Sequence, residues 1–353
     1  MQVLECASLD RLLDAIKRRG YRLVGPRRRD DAVVYDEIQG AADLPAGWTD
    51  EQDKGVYRLK ASKSGALFGY TLAAQSWKRF LYPPKTLLWR ARRVGNKYDI
   101  TDSESRFDVP RQAFIGVRAC ELKAIQLQDN VFVEGLYIDR GYKSRRENAL
   151  IVVVNCGRAA STCFCASMGS GPCAREGYDL ALTEVAGNGR HFFTVESGSL
   201  MGADILQELG LPEATEEERS AAAGVTEAAA AGISRRVDTD DLPGILGRAR
   251  ESSRWEEIAR KCLTCANCTF VCPTCFCHTV EDATDLTGST AERWRKWDSC
   301  FTIDFSYIHG GSVRKTGASR YRQWLTHKFA SWHEQFGSSG CVGCGRCITW
   351  CPA

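Results

Sequence analysis

Residues 262–273 read CLTCANCTFVCP and residues 341–352 read CVGCGRCITWCP, so one C-x2-C-x2-C-x3-C-P run occurs twice. This is the ligand pattern of bacterial-type [4Fe-4S] binding. Three thiolates two residues apart wrap one cluster from a tight loop. The fourth, just ahead of a proline, lies too far along a starting helix to close the same cube and reaches the neighbouring one. The expected ligand sets are therefore crossed: Cys262, Cys265, Cys268 and Cys351 for one [4Fe-4S] cluster, and Cys341, Cys344, Cys347 and Cys272 for a second beside it. A pair of zinc ribbons would use two knuckles per site and gives no reason for a third cysteine at the same step and a fourth before proline in both copies.

Outward from these runs, the chain of 353 residues is long enough for two domains, and its apolar content of 44% is that of an ordinary globular protein. Its 17 cysteines fall in x2 and x1 clusters within a long chain, which points to metal ligation in a reducing compartment rather than a disulfide scaffold. The first residues, MQVLECASLDRLLDAIKRRGY, mix apolar and charged positions at helical spacing and carry no signal-peptide core. No apolar stretch approaches a membrane span, and a cytoplasmic protein is expected. A net charge of +3 is too small to argue for nucleic acid, and the basic stretch at 18–29 reads as a solvated surface.

Residues 9–19 predict an amphipathic helix, with strand-like YRLVGP and AVVYDEI after it. In the middle, AFIGVRAC (113–120) is an apolar run ending in Cys120, residues 121–132 have helical periodicity, and NALIVVVNC (148–156) is a β-branched run ending in Cys156. Strand, helix and strand over this length make a βαβ unit with parallel strands. Both cysteines then finish at one sheet edge, where the loop STCFCASMGSGPC (161–173) also starts. Ligands gather at such edges, so a third metal site is expected from Cys120, Cys156, Cys163 and Cys165, with Cys173 as the substitute. Residues 212–232, rich in alanine and glutamate, predict an exposed helix or linker, and residues 243–261 predict one helix feeding the first cysteine run. The domain boundary is placed near 240: an α/β domain with a partly parallel sheet over 1–240, then a mainly α-helical, ferredoxin-like dicluster domain over 241–353. Cys275, Cys277 and Cys300 follow the first run with no clear fourth ligand.

The stretches GVRACELKAI, VVNCGRAASTCFCASMGSGP, GYDLALTE, CPTCFCHTVED, WDSC, RYRQWLTHKF and CVGCGRCITWCP together resemble a known family. It is that of the iron–sulfur beta subunit of cytoplasmic NiFe hydrogenases, or sulfhydrogenases, and the similar A subunit of anaerobic sulfite reductases. The resemblance runs from about residue 60 to the end, with Cys173 outside the family pattern. It implies a non-catalytic electron conduit between a flavin subunit that handles NAD(P)H and a NiFe hydrogenase or sulfite reductase subunit that carries the chemistry. It carries the ferredoxin-type ligands onto the eight cysteines named first, and it implies further sequence after Ala353 in members of the family.

Clusters held by four thiolates have no open coordination position, so one-electron passage is the expected work and no catalytic residue is assigned. The competing reading is a flavin-dependent reductase with its own N-terminal cofactor site. Its best support is GSGP at 169–172, which lacks the G-x-G-x-x-G spacing of a phosphate cradle. A redox-sensing module would need a DNA-reading element, and none is visible.

Overall fold

The computed structural model describes residues 1–102, 109–187 and 189–353. The strands Gln112–Val117 and Ala149–Val154 are almost wholly apolar and buried, as strands covered on both faces must be. They pair in parallel, with Ile115 opposite Val152, and the helix Ala119–Phe132 connects one to the next. These strands lie inside a seven-stranded sheet. In spatial order it runs Gln2–Glu5, Arg190–Ser197, Leu180–Gly187, Ala149–Val154, Gln112–Val117, Arg22–Arg29 and Ala32–Glu37. The pairs in the centre are parallel and those towards both edges antiparallel, so the sheet is partly parallel. Its core joins Phe114, Val152, Leu182 and Phe193 to the inward face of the helix Leu9–Arg18.

The alanine-rich stretch forms the helix Glu216–Ala231. Thr215 and Glu218 close a capping box at its start, and Ala222 and Ala229 are buried. Small side chains let the helix lie close to the sheet, and its glutamates stay in water.

Residues 243–261 do not form one helix. They make two, Leu242–Arg248 and Arg254–Ala259. The break falls at Ser252 and Ser253, where the Ser252 hydroxyl accepts the Arg254 backbone N–H at 3.3 Å and the Trp255 indole N–H folds back to the Ala249 carbonyl at 2.7 Å. Serine offers the backbone a local partner that competes with the helical ladder.

Alongside its helices, the C-terminal part carries an antiparallel hairpin that the sequence reading did not include. The strands His278–Thr284 and Thr290–Trp297 pair with each other, and the second pairs with Lys85–Val94. Lys97–Asp102 completes this four-stranded sheet, which spans residue 240 in the sequence. Among the described residues no helix is long and apolar enough to cross a membrane.

Candidate metal centres

The two cysteine runs adopt the same local backbone. Thr264 and Ala266 in the first, and Gly343 and Gly345 in the second, all have positive φ at matching places between the cysteines. In each run the backbone N–H two residues after the first cysteine donates to that cysteine's sulfur at 3.4 Å, Thr264 to Cys262 and Gly343 to Cys341. A short helix follows each, Asn267–Phe270 and Arg346–Thr349. The left-handed turns curl three thiols inward, and the helix carries the fourth away.

It is carried to the other run. The Cys268 thiol, pushed up to about 12 by burial, is within electrostatic reach of Cys272, Cys262, Cys265 and Cys351. Cys347 is likewise raised by burial and by Cys341, Cys344 and Cys272. Cys272 and Cys351 thus lie where the two runs meet, Cys272 close to both Cys268 and Cys347. Cys262, Cys265, Cys268 and Cys351 border a cavity of about 200 Å³ walled by Phe301, Tyr321 and Trp324. The runs are tied together where the Asn267 side-chain amide donates to the Trp350 carbonyl and the Thr274 hydroxyl donates to the Gly340 carbonyl at 2.7 Å.

Cys120, Cys156, Cys163 and Cys165 also come together. Cys120 lies in the first turn of its helix and Cys156 two residues past its strand. Burial, then Cys165, Cys344 and Cys156, raises the Cys120 thiol. Burial takes Cys163 and Cys165 up to about 12, with Cys156 and Cys344 nearby. Such thiols keep their protons unless a cation claims them. One is at hand, since the Arg118 guanidinium, 1% exposed, opposes the burial that raises Cys156. Arg118 donates to the carbonyls of Phe68, Tyr70, Val154 and Asn155, and its Nε has no hydrogen-bond partner. Cys173 is exposed.

The second run is pressed against this group. A Cβ on Gly343 would stand 2.7 Å from the backbone of Phe164 and Cys165, and one on Gly345 would stand 2.4 Å from the Thr162 carbonyl. Glycine is required there by contact as well as by φ, whereas at the matching places of the first run Thr264 and Ala266 carry side chains in the same conformation. The GSGP stretch takes part in the docking, because the Ser170 hydroxyl donates to the Val342 carbonyl at 2.6 Å.

Sequence reasoning passed over the buried cations. Arg346, next to Cys347, is 0% exposed and ion-paired with Glu121, 1% exposed. Its Nε donates to the Ala73 carbonyl at 2.9 Å. Arg118, Lys78 and Lys328 are buried too. For Arg118 and Arg346 the available signal was an arginine beside a cysteine; Lys78 and Lys328 have no cysteine near them in the sequence.

The donor set fits iron–sulfur clusters: it is all cysteine sulfur, mostly buried, and in the interior flanked by fixed positive charge. All 17 cysteines are free. Among the described residues no three His, Cys, Asp or Glu side chains converge on a position for one metal ion, so these sulfurs are spaced otherwise than a mononuclear tetrahedral site demands.

Residues 261–353 match the family described as 4Fe-4S dicluster domain. Over 337 residues, 94% of this chain and 89% of the relative, the sequence is 31% identical to the protein named Sulfhydrogenase 2 subunit beta of Pyrococcus furiosus. No solved structure matches significantly.

Proposed function

Because the chain belongs to the family of the sulfhydrogenase beta subunit and is an iron–sulfur electron-transfer protein, we propose that it relays electrons between a flavin subunit oxidising NAD(P)H and a subunit that acts on hydrogen, sulfur or sulfite. The observation that supports this reading is the meeting of the two runs, with Cys272 and Cys351 near Cys268 and Cys272 near Cys347, which would make two centres neighbours.

In this reading Cys262, Cys265, Cys268 and Cys351 hold one [4Fe-4S] cluster, Cys341, Cys344, Cys347 and Cys272 a second, and Cys120, Cys156, Cys163 and Cys165 a third. When bound, the clusters supply one-electron transfer without bond making. The chain's own residues do the rest. The left-handed turns at Thr264, Ala266, Gly343 and Gly345 aim the thiols. Arg346 and Glu121 pin the second run to the helix Ala119–Phe132, and Arg118 supplies countercharge at Cys156. Residues 1–240 form the unit with the third centre, and 241–353 a ferredoxin-like, mainly helical unit to which a hairpin is added. The free thiols suit the cytoplasm.

The test is reduction of the anaerobically reconstituted chain. Dithionite should bleach the cluster absorbance, NADH or NADPH alone should leave it unchanged, and adding a flavin oxidoreductase subunit should let NAD(P)H bleach it. Direct bleaching by a nicotinamide without added flavoprotein would refute the relay and favour the flavin-dependent reductase.

A further inference from the structure

Neither the crossed sets nor the strand-end set uses Cys275, Cys277 and Cys300, yet the fold places all three about the base of one hairpin. Cys275 and Cys277 lead directly into the strand His278–Thr284, and Cys300 follows the strand Thr290–Trp297. Those strands begin and end opposite each other, with His278 against Trp297, and the Asp298 backbone N–H donates to the Cys277 carbonyl at 2.9 Å. The hairpin base thus sets Cys277 beside Cys300, while Cys275 stands beside Cys272. The N-terminal part holds this loop from below. The Tyr82 hydroxyl donates to the Phe276 carbonyl at 3.4 Å, and the Trp297 indole N–H donates to the Tyr82 carbonyl at 3.0 Å.

Two ammonium groups point into the same place. Lys78 and Lys328 are each 4% exposed, and among the described residues neither pairs with a carboxylate, although both have partners. Lys78 donates to the Cys275 carbonyl at 3.0 Å and lies 4.0 Å from the centre of the Trp297 ring. Lys328 sits on a π-helical turn, His327–Ser331, and donates to the Gly340 carbonyl at 3.1 Å and to the Thr274 hydroxyl. Widened turns of that kind recur at functional sites. Burying a cation without an anion costs several kcal/mol, and neutral carbonyls, a hydroxyl and an indole do not supply the missing charge. What surrounds the two ammonium groups is sulfur: Cys275, Cys272 and Cys277 around Lys78, and Cys272, Cys275 and Cys341 around Lys328.

We propose that Cys275, Cys277 and Cys300 ligate a further iron–sulfur cluster at the base of the hairpin, its negative charge matched by the buried ammonium groups of Lys78 and Lys328. Lys328 also serves the neighbouring centre of Cys272 and Cys341, but Lys78 faces Cys275 first. Neutral packing thiols would leave Lys78 dependent on Cys272 alone. Three protein thiolates complete three of a cubane's four corners, so the remaining iron takes a solvent molecule or small anion, and this centre differs from the closed ones in being able to bind one.

The test uses the full chain, purified and reconstituted without oxygen. Cys277→Ser and Cys300→Ser should each lower iron and acid-labile sulfide by about four per chain, while the EPR signature of two coupled neighbouring clusters in the dithionite-reduced protein persists. Iron content equal to wild type in every variant that folds would overturn the proposal. Should neither fold, the chain carrying Cys163→Ser and Cys165→Ser, which lacks the strand-end set, decides the matter by native mass spectrometry. Three cubanes in that variant support the hairpin centre, and two overturn it while leaving the relay reading intact.

Discussion

Replacing Arg346 by methionine should loosen the second cysteine run from the helix Ala119–Phe132 at a cost set by one buried ion pair. The guanidinium donates to Glu121 and to the carbonyls of Ala73 and Gln75, the last at 3.4 Å. Glu121 also accepts from the Tyr35 hydroxyl at 2.8 Å, the Trp77 indole N–H at 3.1 Å and the Arg118 backbone N–H at 3.2 Å. Methionine fills much of the volume but leaves the carboxylate with neutral donors only. Opposite charges roughly 4 Å apart attract by about 4 kcal/mol at an effective dielectric near 20, and breaking a buried pair by removing one partner typically costs about 3–5 kcal/mol. Arg346→Met is therefore expected to destabilise by about 3–5 kcal/mol, and Arg346→Met with Glu121→Gln by less than the two single changes together, because the double variant buries no orphan charge. Anaerobic guanidinium denaturation, followed by tryptophan fluorescence and cluster absorbance together, measures both. The cluster signal should be lost first in the single variant, since Arg346 lies between Cys344 and Cys347. A cost below about 1 kcal/mol, or a double variant no better than additive, would mean that the pair is not what fastens the run.

Cys272→Ala should damage the centre of Cys341, Cys344 and Cys347 in low-temperature EPR; loss confined to the centre of Cys262, Cys265 and Cys268 would refute the crossing. Gly343→Ala should displace the strand-end loop, because its Cβ meets backbone at 2.7 Å, and lower both thermal stability and iron content, whereas Ala266→Gly, which relieves a left-handed φ but removes one buried methyl, should change both far less. The Glu184 side chain raises the pKa of His191 by hydrogen bonding at 2.8 Å. The wild type's stability advantage over His191→Gln should thus be fully present below the ordinary histidine value near 6.5 and fade as pH rises through the raised one, as thermal melts across that range will register. In a redox titration, the centre of Cys262, Cys265, Cys268 and Cys351 should require the most negative potential for reduction.

Legibility in the sequence followed the range of the physical signal. The runs at 113–120 and 148–156 announce buried parallel strands because burial on both faces demands uninterrupted apolar residues, and the two cysteine runs carry their spacing locally. The hairpin 278–297 carried no such mark. Its strands HTVEDAT and TAERWRKW are polar on exposed or half-buried positions, and the partner that orders them, Lys85–Val94, lies far earlier in the chain. Residues 243–261 have enough helical periodicity to suggest one helix, and only the serine pair at 252 and 253 signals the break. Hydropathy alone assigns Lys78, Arg118, Lys328 and Arg346 to the surface, since their burial depends on partners that only the fold assembles.

Those four cations are the buried lysines and arginines among the described residues, and their distribution ranks the centres. Arg118 lies by Cys156, Arg346 by Cys344, Lys328 by Cys272 and Cys341, and Lys78 by Cys275, so every thiol group in the interior has a fixed positive charge beside it. Arg346 alone among them is ion-paired with a carboxylate. The cavity at the first run is walled by aromatic rings and the exposed Lys261, and Cys265 is exposed, so solvent screens the charge there. Adding an electron makes a thiolate-bound cluster more negative, and a nearby cation in a low-dielectric interior favours that state. If the clusters are held as proposed, the interior centres would be the better electron acceptors and the outer one the better donor. An electron delivered to a cluster at the first run would then have a downhill path inward, past Cys268 and Cys272 to the second run and from Cys344 to the strand-end cysteines near it.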